Sequence, residues 1–357
     1  MNLKNDFLII GLMSGSSLDG LDIAACNFIK NDSRWTFSII ETECISYSKE
    51  QKNKLEKLSS VSAKKLVKAH ADYGPWTGNC VQVFINKYGL KPDFISSHGH
   101  TIFHEPAEAY SFQLGSPAHV SSASGIDCIG DFRNSDMALG GEGAPLAPIA
   151  DLDLFPEYEV CINLGGIANI SYMNKSGKLV GFDVSVCNLI FNHLSEKFGK
   201  DYDEDGILGL KGTLNEDLLL KLENLDFYKK RSSRSLDREW FSKNVEPLFS
   251  EAALSIEDQL HTAYIHVSEK IAHHINLAGG GKKVLLSGGG TKNKYLVRLI
   301  QEATASKIFV PDESVIDFKE CVLMAYLGLL RVLKTNNCIS SVTGAERSCS
   351  GGGVYLN

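Results

Sequence analysis

The sequence predicts an α/β protein of two lobes, each a mixed sheet flanked by helices, with a central cleft between the lobes. Three observations carry that expectation. Strand-like runs rich in Ile, Phe and Thr alternate with stretches whose apolar residues recur at helical spacing. A strand–glycine turn–strand opening occurs near Gly15 and again near Gly165. Each opening is followed by a further strand, then helices and more strands, and 357 residues suit about two such lobes.

Residues 6–13 (DFLIIGLM), 21–29 (LDIAACNFI) and 35–45 (WTFSIIETECI) read as strands with short connections, an antiparallel meander. Helices are expected over 49–59 and 62–88, where Leu55, Leu58, Val61, Leu66, Val67 and Ala71 recur with helical period. DFISSHGHTIF (93–103) begins as a strand and ends as a polar loop. GSPAHVSSASG (115–125) reads as a short helix stopped by Gly125, and 126–132 as another strand. The second series opens with strands at 158–166 and 167–174 around a Gly-Gly turn. A strand at 178–185 and a helix at 186–199 follow. Charge, glycine and serine crowd 199–235, so order is expected to be weakest there. A long helix at 252–277, a strand at 283–287, a helix at 292–303, a strand IFVP and a helix at 317–334 complete the chain.

Composition narrows the functions. Hydrophobic residues make 43% and charged residues 22%, the balance of a globular protein with a sizeable core. Net charge is −7 and no basic block stands out, so no nucleic-acid partner is expected. No apolar run is long enough to span a membrane, and the N-terminus lacks the features of a secretory signal. The nine cysteines are scattered and form no C-x-x-C. They read as buried free thiols in a reducing cytoplasm.

The glycine turns carry the chemistry. A hairpin turn rich in Gly and Ser offers backbone N–H groups and hydroxyls to phosphate oxygens. Candidates are Gly15, Ser16, Ser17, Leu18, Asp19, Gly20, Leu21 and Asp22 at the first turn, and Asn163, Gly165 and Gly166 at the second. Facing each other, two such turns would form a clamp. Acidic Asp19 beside a phosphate calls for a divalent cation, and Mg²⁺ takes one or two carboxylates plus phosphate oxygens. Gly288, Gly289 and Gly290 end a strand and open a helix, where backbone can approach an anionic ligand closely. The plain alternative is ordinary tight turns. Neither GxxxxGK[ST] nor GxGxxG is present.

MSGSSLDGLD (13–22) resembles the phosphate motif of the anhydro-N-acetylmuramic acid kinases, of the superfamily of actin, sugar kinases and heat-shock ATPases. The similarity runs on through SSHGHTIFHEP (96–106), DFRNSDMALGGEGAPLAPIAD (131–151), INLGGIANIS (162–171), GFD (181–183), DEDG (203–206), LLSGGGTKN (285–293) and SVTGAE (341–346), in the family's order. It implies an actin-like, ribonuclease H-like ATPase fold, with lobes at 1–132 and 133–357 and the last segment packing back on the first. It implies ATP and Mg²⁺ as cofactors, an amino sugar as substrate, and a homodimer. The implied reaction opens the 1,6-anhydro bridge of anhydro-N-acetylmuramic acid with water and phosphorylates O6.

By the same resemblance Asp183 is the catalytic base, and Asp19 the Mg²⁺ carboxylate. Arg133, Glu320, His98 and Thr101 contact the sugar. Their plain alternatives are a helix N-cap for Asp183, a surface ion pair for Arg133 and a first-turn acid for Glu320. Zinc on His98, His100 and His104 is a weaker reading, since no fourth ligand is evident. The chain departs from the family after Asp183: F-D-T-G-P-G-N is replaced by Phe182-Asp183-Val184-Ser185-Val186-Cys187-Asn188. β-Branched Val184 and Val186 resist a glycine turn, so another local shape is expected. A divergent homologue that binds nucleotide or sugar with little turnover is the alternative to a kinase.

Overall fold

The first apolar run forms β1 (Asp6–Ser14), with Ile9, Ile10 and Leu12 fully buried. Near-continuous burial marks a strand covered on both faces. β2 (Gly20–Asn31) and β3 (Arg34–Ser46) continue from it as an antiparallel meander. β4 (Phe94–Glu105) lies parallel to β1 on its other side. β5 (Tyr110–Leu114) forms a hairpin with β4, and β6 (Cys128–Gly130) pairs parallel with β4. The computed structural model describes residues 4–15, 18–32, 34–229 and 236–357.

The second series repeats the plan. β7 (Val160–Leu164), β8 (Ile167–Met173) and β9 (Leu179–Val186) form a meander. β10 (Lys283–Ser287) joins β7 in parallel, and β11 (Lys307–Phe309) joins β10 in parallel. Leu260, Tyr264, Val267 and Ile271 of the helix Ile256–Gly279 share one core with Val160, Ile162, Val184 and Val186. β12 (Gly353–Tyr355), near the chain's end, pairs antiparallel with β6.

Numbered within each series, both sheets read 3-2-1-4-5: β3-β2-β1-β4-β6 and β9-β8-β7-β10-β11. In both, only the second strand opposes the rest. This is the ribonuclease H-like arrangement of an actin-like ATPase, carried twice.

The chain divides into two compact units. One takes the chain up to Leu154 together with Phe318–Asn357, and the other is Phe155–Asp317. The break therefore falls some twenty residues beyond the expected 132/133 boundary. The reason is local bonding. The helices Asn134–Ala138 and Ala147–Leu154 are tied to the closing segment, Asp136 by Thr343 (2.7 Å), Asp151 by Lys319 (2.6 Å) and Asp153 by Tyr326 (2.6 Å). The helix Glu313–Val332 leaves helical geometry at Phe318 (φ −119°, ψ 15°), where the chain passes from one unit to the other.

Two expectations are corrected. The loop expected after residue 100 stays a strand to Glu105, because β5 pairs with it. The stretch expected to be least ordered carries helices at Ile207–Lys211, Glu216–Glu223 and Asp226–Lys229. Leu218 and Leu222 anchor it in the core, while the Asp203 carboxylate accepts from the Leu208 and Gly209 amides. Residues 230–235 lie outside the described residues.

Candidate active site

In the first unit, the turn between β1 and β2 is braced from below. Leu18 N–H donates to the Gly15 carbonyl (3.3 Å), and the Asp19 carbonyl accepts from Tyr47 N–H (3.1 Å). Leu18 sits at φ 59°, an uncommon conformation for a non-glycine residue. Its side chain packs, partly buried, against the cluster of Tyr47, Leu55 and Leu58. Leu21 of β2 is buried in the core and offers no side chain to a ligand. Asp19 is exposed at the turn, an accessible oxygen donor of the kind Mg²⁺ takes. Ser16 and Ser17 lie outside the described residues.

Sequence reasoning missed what supports this turn. Ser14 Oγ bonds Tyr47 Oη (2.7 Å) and His100 Nδ1 (3.0 Å), and Tyr47 bonds Tyr73. These side chains lie on β1, beyond β3, on a helix and on β4, so no local spacing could reveal them. His100 and Thr101 line a cavity of about 190 Å³ with Leu18, Leu55 and Ile102.

Arg133 is not a surface ion-pair residue. Its Nη1 donates to the Gly143 carbonyl (2.6 Å), and its Nε and Nη2 lie 3.3 and 2.8 Å from His98 Nε2. The other ring nitrogen of His98 is 2.9 Å from the Gly99 carbonyl. That carbonyl can only accept, so Nδ1 carries the proton and Nε2 accepts from the arginine. Burial, reinforced by the Arg133 charge, holds the His98 imidazole down to about 3. It is therefore neutral at physiological pH. Burial also holds Arg133 down to about 10, opposed by the charge of Glu320 and by Cys338.

Glu320 reaches solvent, near the start of the helical run after Phe318. Desolvation by its neighbours still lifts its carboxyl above the ordinary range. The Asp22 carboxylate adds to that rise, and Arg133 and Lys319 oppose it. The first unit thus gathers Asp22, Arg133 and Glu320 into one electrostatic group, with neutral His98 behind it. The three histidines do not form a metal cluster among the described residues. His98 is engaged by Arg133, His100 by Ser14 and His104 by Ser111 (3.2 Å).

These histidines make the protein acid-sensitive. Burial depresses His98 to about 3, His104 to about 4 and His100 below its ordinary 6.5. A group depressed on folding contributes stability above its unfolded value and loses it as pH falls toward the folded one. Lowering the pH from 7 to 5 will cost about 2 kcal/mol through His98 alone. Urea midpoints at the two pH values check this, and His98→Gln, which cannot titrate, will flatten the dependence.

In the second unit, Asp183 lies within β9, opposite Asn169 of β8. It is not a helix cap. The helix Asn188–Lys197 is preceded by Cys187, whose side chain makes no cap bond. Val184 and Val186, standing where the family motif has threonine and proline, are fully buried at the end of β9 and belong to the core. The segment's other shape is therefore the strand itself, continued to Val186. Asp183 Oδ2 accepts from Leu236 N–H (2.8 Å), and the carboxylate is half-buried.

The second and third glycine turns pack on each other. A Cβ on Gly288 (φ 83°) would fall 2.6 Å from Asn163 Oδ1, and one on Gly290 2.7 Å from Leu164 Cβ. Both are glycines because two backbones approach there. Gly289 faces open space and is exposed. The Gly165 and Gly166 carbonyls accept the amides of Asn188 (3.1 Å), and of Cys187 (2.8 Å) and Leu189 (3.2 Å). The helix start is thereby occupied by protein, while Gly166 and Gly289 are left exposed.

The family model described as "Anhydro-N-acetylmuramic acid kinase" matches residues 7–357.

The chain belongs to the anhydro-N-acetylmuramic acid kinase family.

It is 31% identical to the anhydro-N-acetylmuramic acid kinase of Gloeobacter violaceus, with 98% of each chain covered. It is also 31% identical to that of Sulfurimonas denitrificans, over 97% of this chain and 98% of the other. A Pseudomonas syringae relative of the same name is 33% identical over 83% of this chain and 84% of its own. As a member of the anhydro-N-acetylmuramic acid kinase family the chain is a kinase, and ATP use follows from that class. Among the described residues no helix is long and apolar enough to cross a membrane.

Proposed function

We propose that this kinase adds water across the 1,6-anhydro bridge of anhydro-N-acetylmuramic acid and transfers the γ-phosphoryl group of ATP to the freed O6. The product is N-acetylmuramic acid 6-phosphate, in cytoplasmic recycling of the cell wall. The match over 7–357 carries this reading. Asp183 takes the proton of the attacking water. The turn Gly15–Asp22, together with Asn163, Gly165, Gly166 and Gly288–Gly290, serves the nucleotide. Asp19 holds Mg²⁺, which when bound neutralises charge on the triphosphate.

Arg133 presents its remaining guanidinium face to the lactyl carboxylate, a planar acceptor suited to its fork. Its support is the pair of acceptors, His98 and Gly143, that fix the fork. His98 thus acts on the sugar through Arg133, while Glu320 and Thr101 contact sugar hydroxyls.

The test is purified protein with ATP, Mg²⁺ and amino sugars with and without the anhydro bridge. The expected product mass is the anhydro sugar plus one water and one phosphoryl group. A phosphorylated product still lacking the water, or ATP hydrolysis indifferent to every sugar, would defeat the proposal.

A further inference from the structure

Two of the scattered cysteines are not scattered in space. Cys338 and Cys349 form an isolated antiparallel bridge, with N–H···O bonds of 3.1 and 3.0 Å in the two directions. Their sulfurs lie within 4.8 Å of each other, and Cys338 Sγ is 3.5 Å from the Phe132 carbonyl and 3.6 Å from Asn337 Oδ1. A third donor converges on them. One ligand atom each from Asp136, Cys338 and Cys349 lie within 4.8 Å of one another, the one such group among the described residues.

We propose that Cys338, Cys349 and Asp136 form a binding site for a soft divalent cation of the zinc class, with water completing the tetrahedron. Two thiolates and a carboxylate suit zinc and not magnesium or calcium, which prefer all-oxygen shells. Zinc–sulfur bonds of about 2.3 Å and zinc–oxygen bonds of about 2.0 Å require only modest contraction of the group.

The donors are held before any ion arrives. Asp136 Oδ1 accepts from Thr343 Oγ1 (2.7 Å) and Oδ2 from Gly143 N–H (2.8 Å). Each oxygen retains a lone pair. Asn337 pins the strand of Cys338 by bonding the Leu327 and Gly351 carbonyls (both 3.0 Å) and the Gly351 amide (2.7 Å). Glycine keeps the donors clear: a Cβ at 351 would lie 3.0 Å from Cys338 Sγ, and one at 141 only 2.2 Å from Asp136 Oδ2.

The surrounding charge suits a divalent cation. Three ionised donors carry three negative charges, of which a divalent cation cancels two. Arg133, which interacts with Cys338, and Arg347, which interacts with Cys349, balance the remainder. Occupancy would tie the 338–349 segment to the helix Asn134–Ala138, which begins beside Arg133.

The experiment is cobalt(II) titration of the reduced full chain, followed by absorption and by thermal melting. A sulfur-to-cobalt charge-transfer band saturating at one equivalent is expected, bleached by zinc, with a rise in Tm that a chelator reverses. Cys349→Ala will lose the band and the Tm shift, Asp136→Asn will weaken binding about tenfold, and Cys80→Ala will keep both. If Cys349→Ala fails to fold, chelator reversal and one-equivalent saturation in the unaltered chain still decide. Absence of the band in folded, reduced protein overturns the site, as does its survival in folded Cys349→Ala. A chain purified two hydrogens lighter, with a 338–349 disulfide, overturns it in favour of a redox pair.

Discussion

Asp183→Asn will lower kcat by about 10²- to 10⁴-fold, the span usual for loss of a general base. The KM for ATP will stay near its original value, because the substitution removes no nucleotide contact. The exchange is structurally mild. Asp183 is half-buried in β9 and accepts a backbone bond from Leu236 N–H at 2.8 Å. The asparagine carbonyl can accept the same bond, so strand pairing with Asn169 persists. What is lost is the ability to take a proton from water. Steady-state rates on the anhydro sugar, with melting curves to show an intact fold, measure the effect. A variant within a fewfold of the original enzyme would remove Asp183 from the chemistry and leave it a strand residue that braces Leu236.

Much of the architecture could be read from the chain, and the omissions share a physical cause. The two meanders announce themselves through short connections and apolar runs, and β1–β3 and β7–β9 form where expected. β5 was legible too, in the alternation Tyr110, Phe112, Leu114, but the polar neighbourhood masked it. β12 is three residues long and exists only because β6 offers an edge more than two hundred positions earlier. No local pattern encodes such a partner. The helices between 207 and 229 hide for a different reason: only Leu218, Leu222 and a few neighbours face the core, and the charged remainder reads as loop.

The site divides in the same way. Residue types at turns and strand ends, such as Asp19, Asp183 and Arg133, were accessible to inspection. The side chains that set their properties were not. His98 precedes Arg133 by 35 positions, and nothing in SSHGHT says that its ring will be neutral and aimed at an arginine. The valines after Asp183 pointed away from a glycine turn, and β9 runs through both of them to Val186, as their β propensity favours.

Arg133→Lys will raise the KM for the sugar by about 10- to 100-fold, with a smaller change in kcat. The fork is fixed at two places, by His98 Nε2 (2.8 Å from Nη2) and by the Gly143 carbonyl (2.6 Å from Nη1). Lysine brings a single charged point that cannot satisfy both acceptors and still meet a carboxylate in two-pronged fashion. Charge-assisted hydrogen bonds of this kind contribute about 1.5–3 kcal/mol, which sets the range. Removing the support tests the same idea from behind. His98→Ala leaves Arg133 without its aromatic acceptor and will share the KM defect, whereas His98→Gln can accept through its side-chain carbonyl and will restore most of the affinity. An anhydro amino sugar lacking the lactyl group separates recognition from general damage. The original enzyme and Arg133→Lys should handle it alike, because the carboxylate that distinguishes them is gone. Equal penalties on both sugars would mean that Arg133 only holds Gly143 and His98 in place.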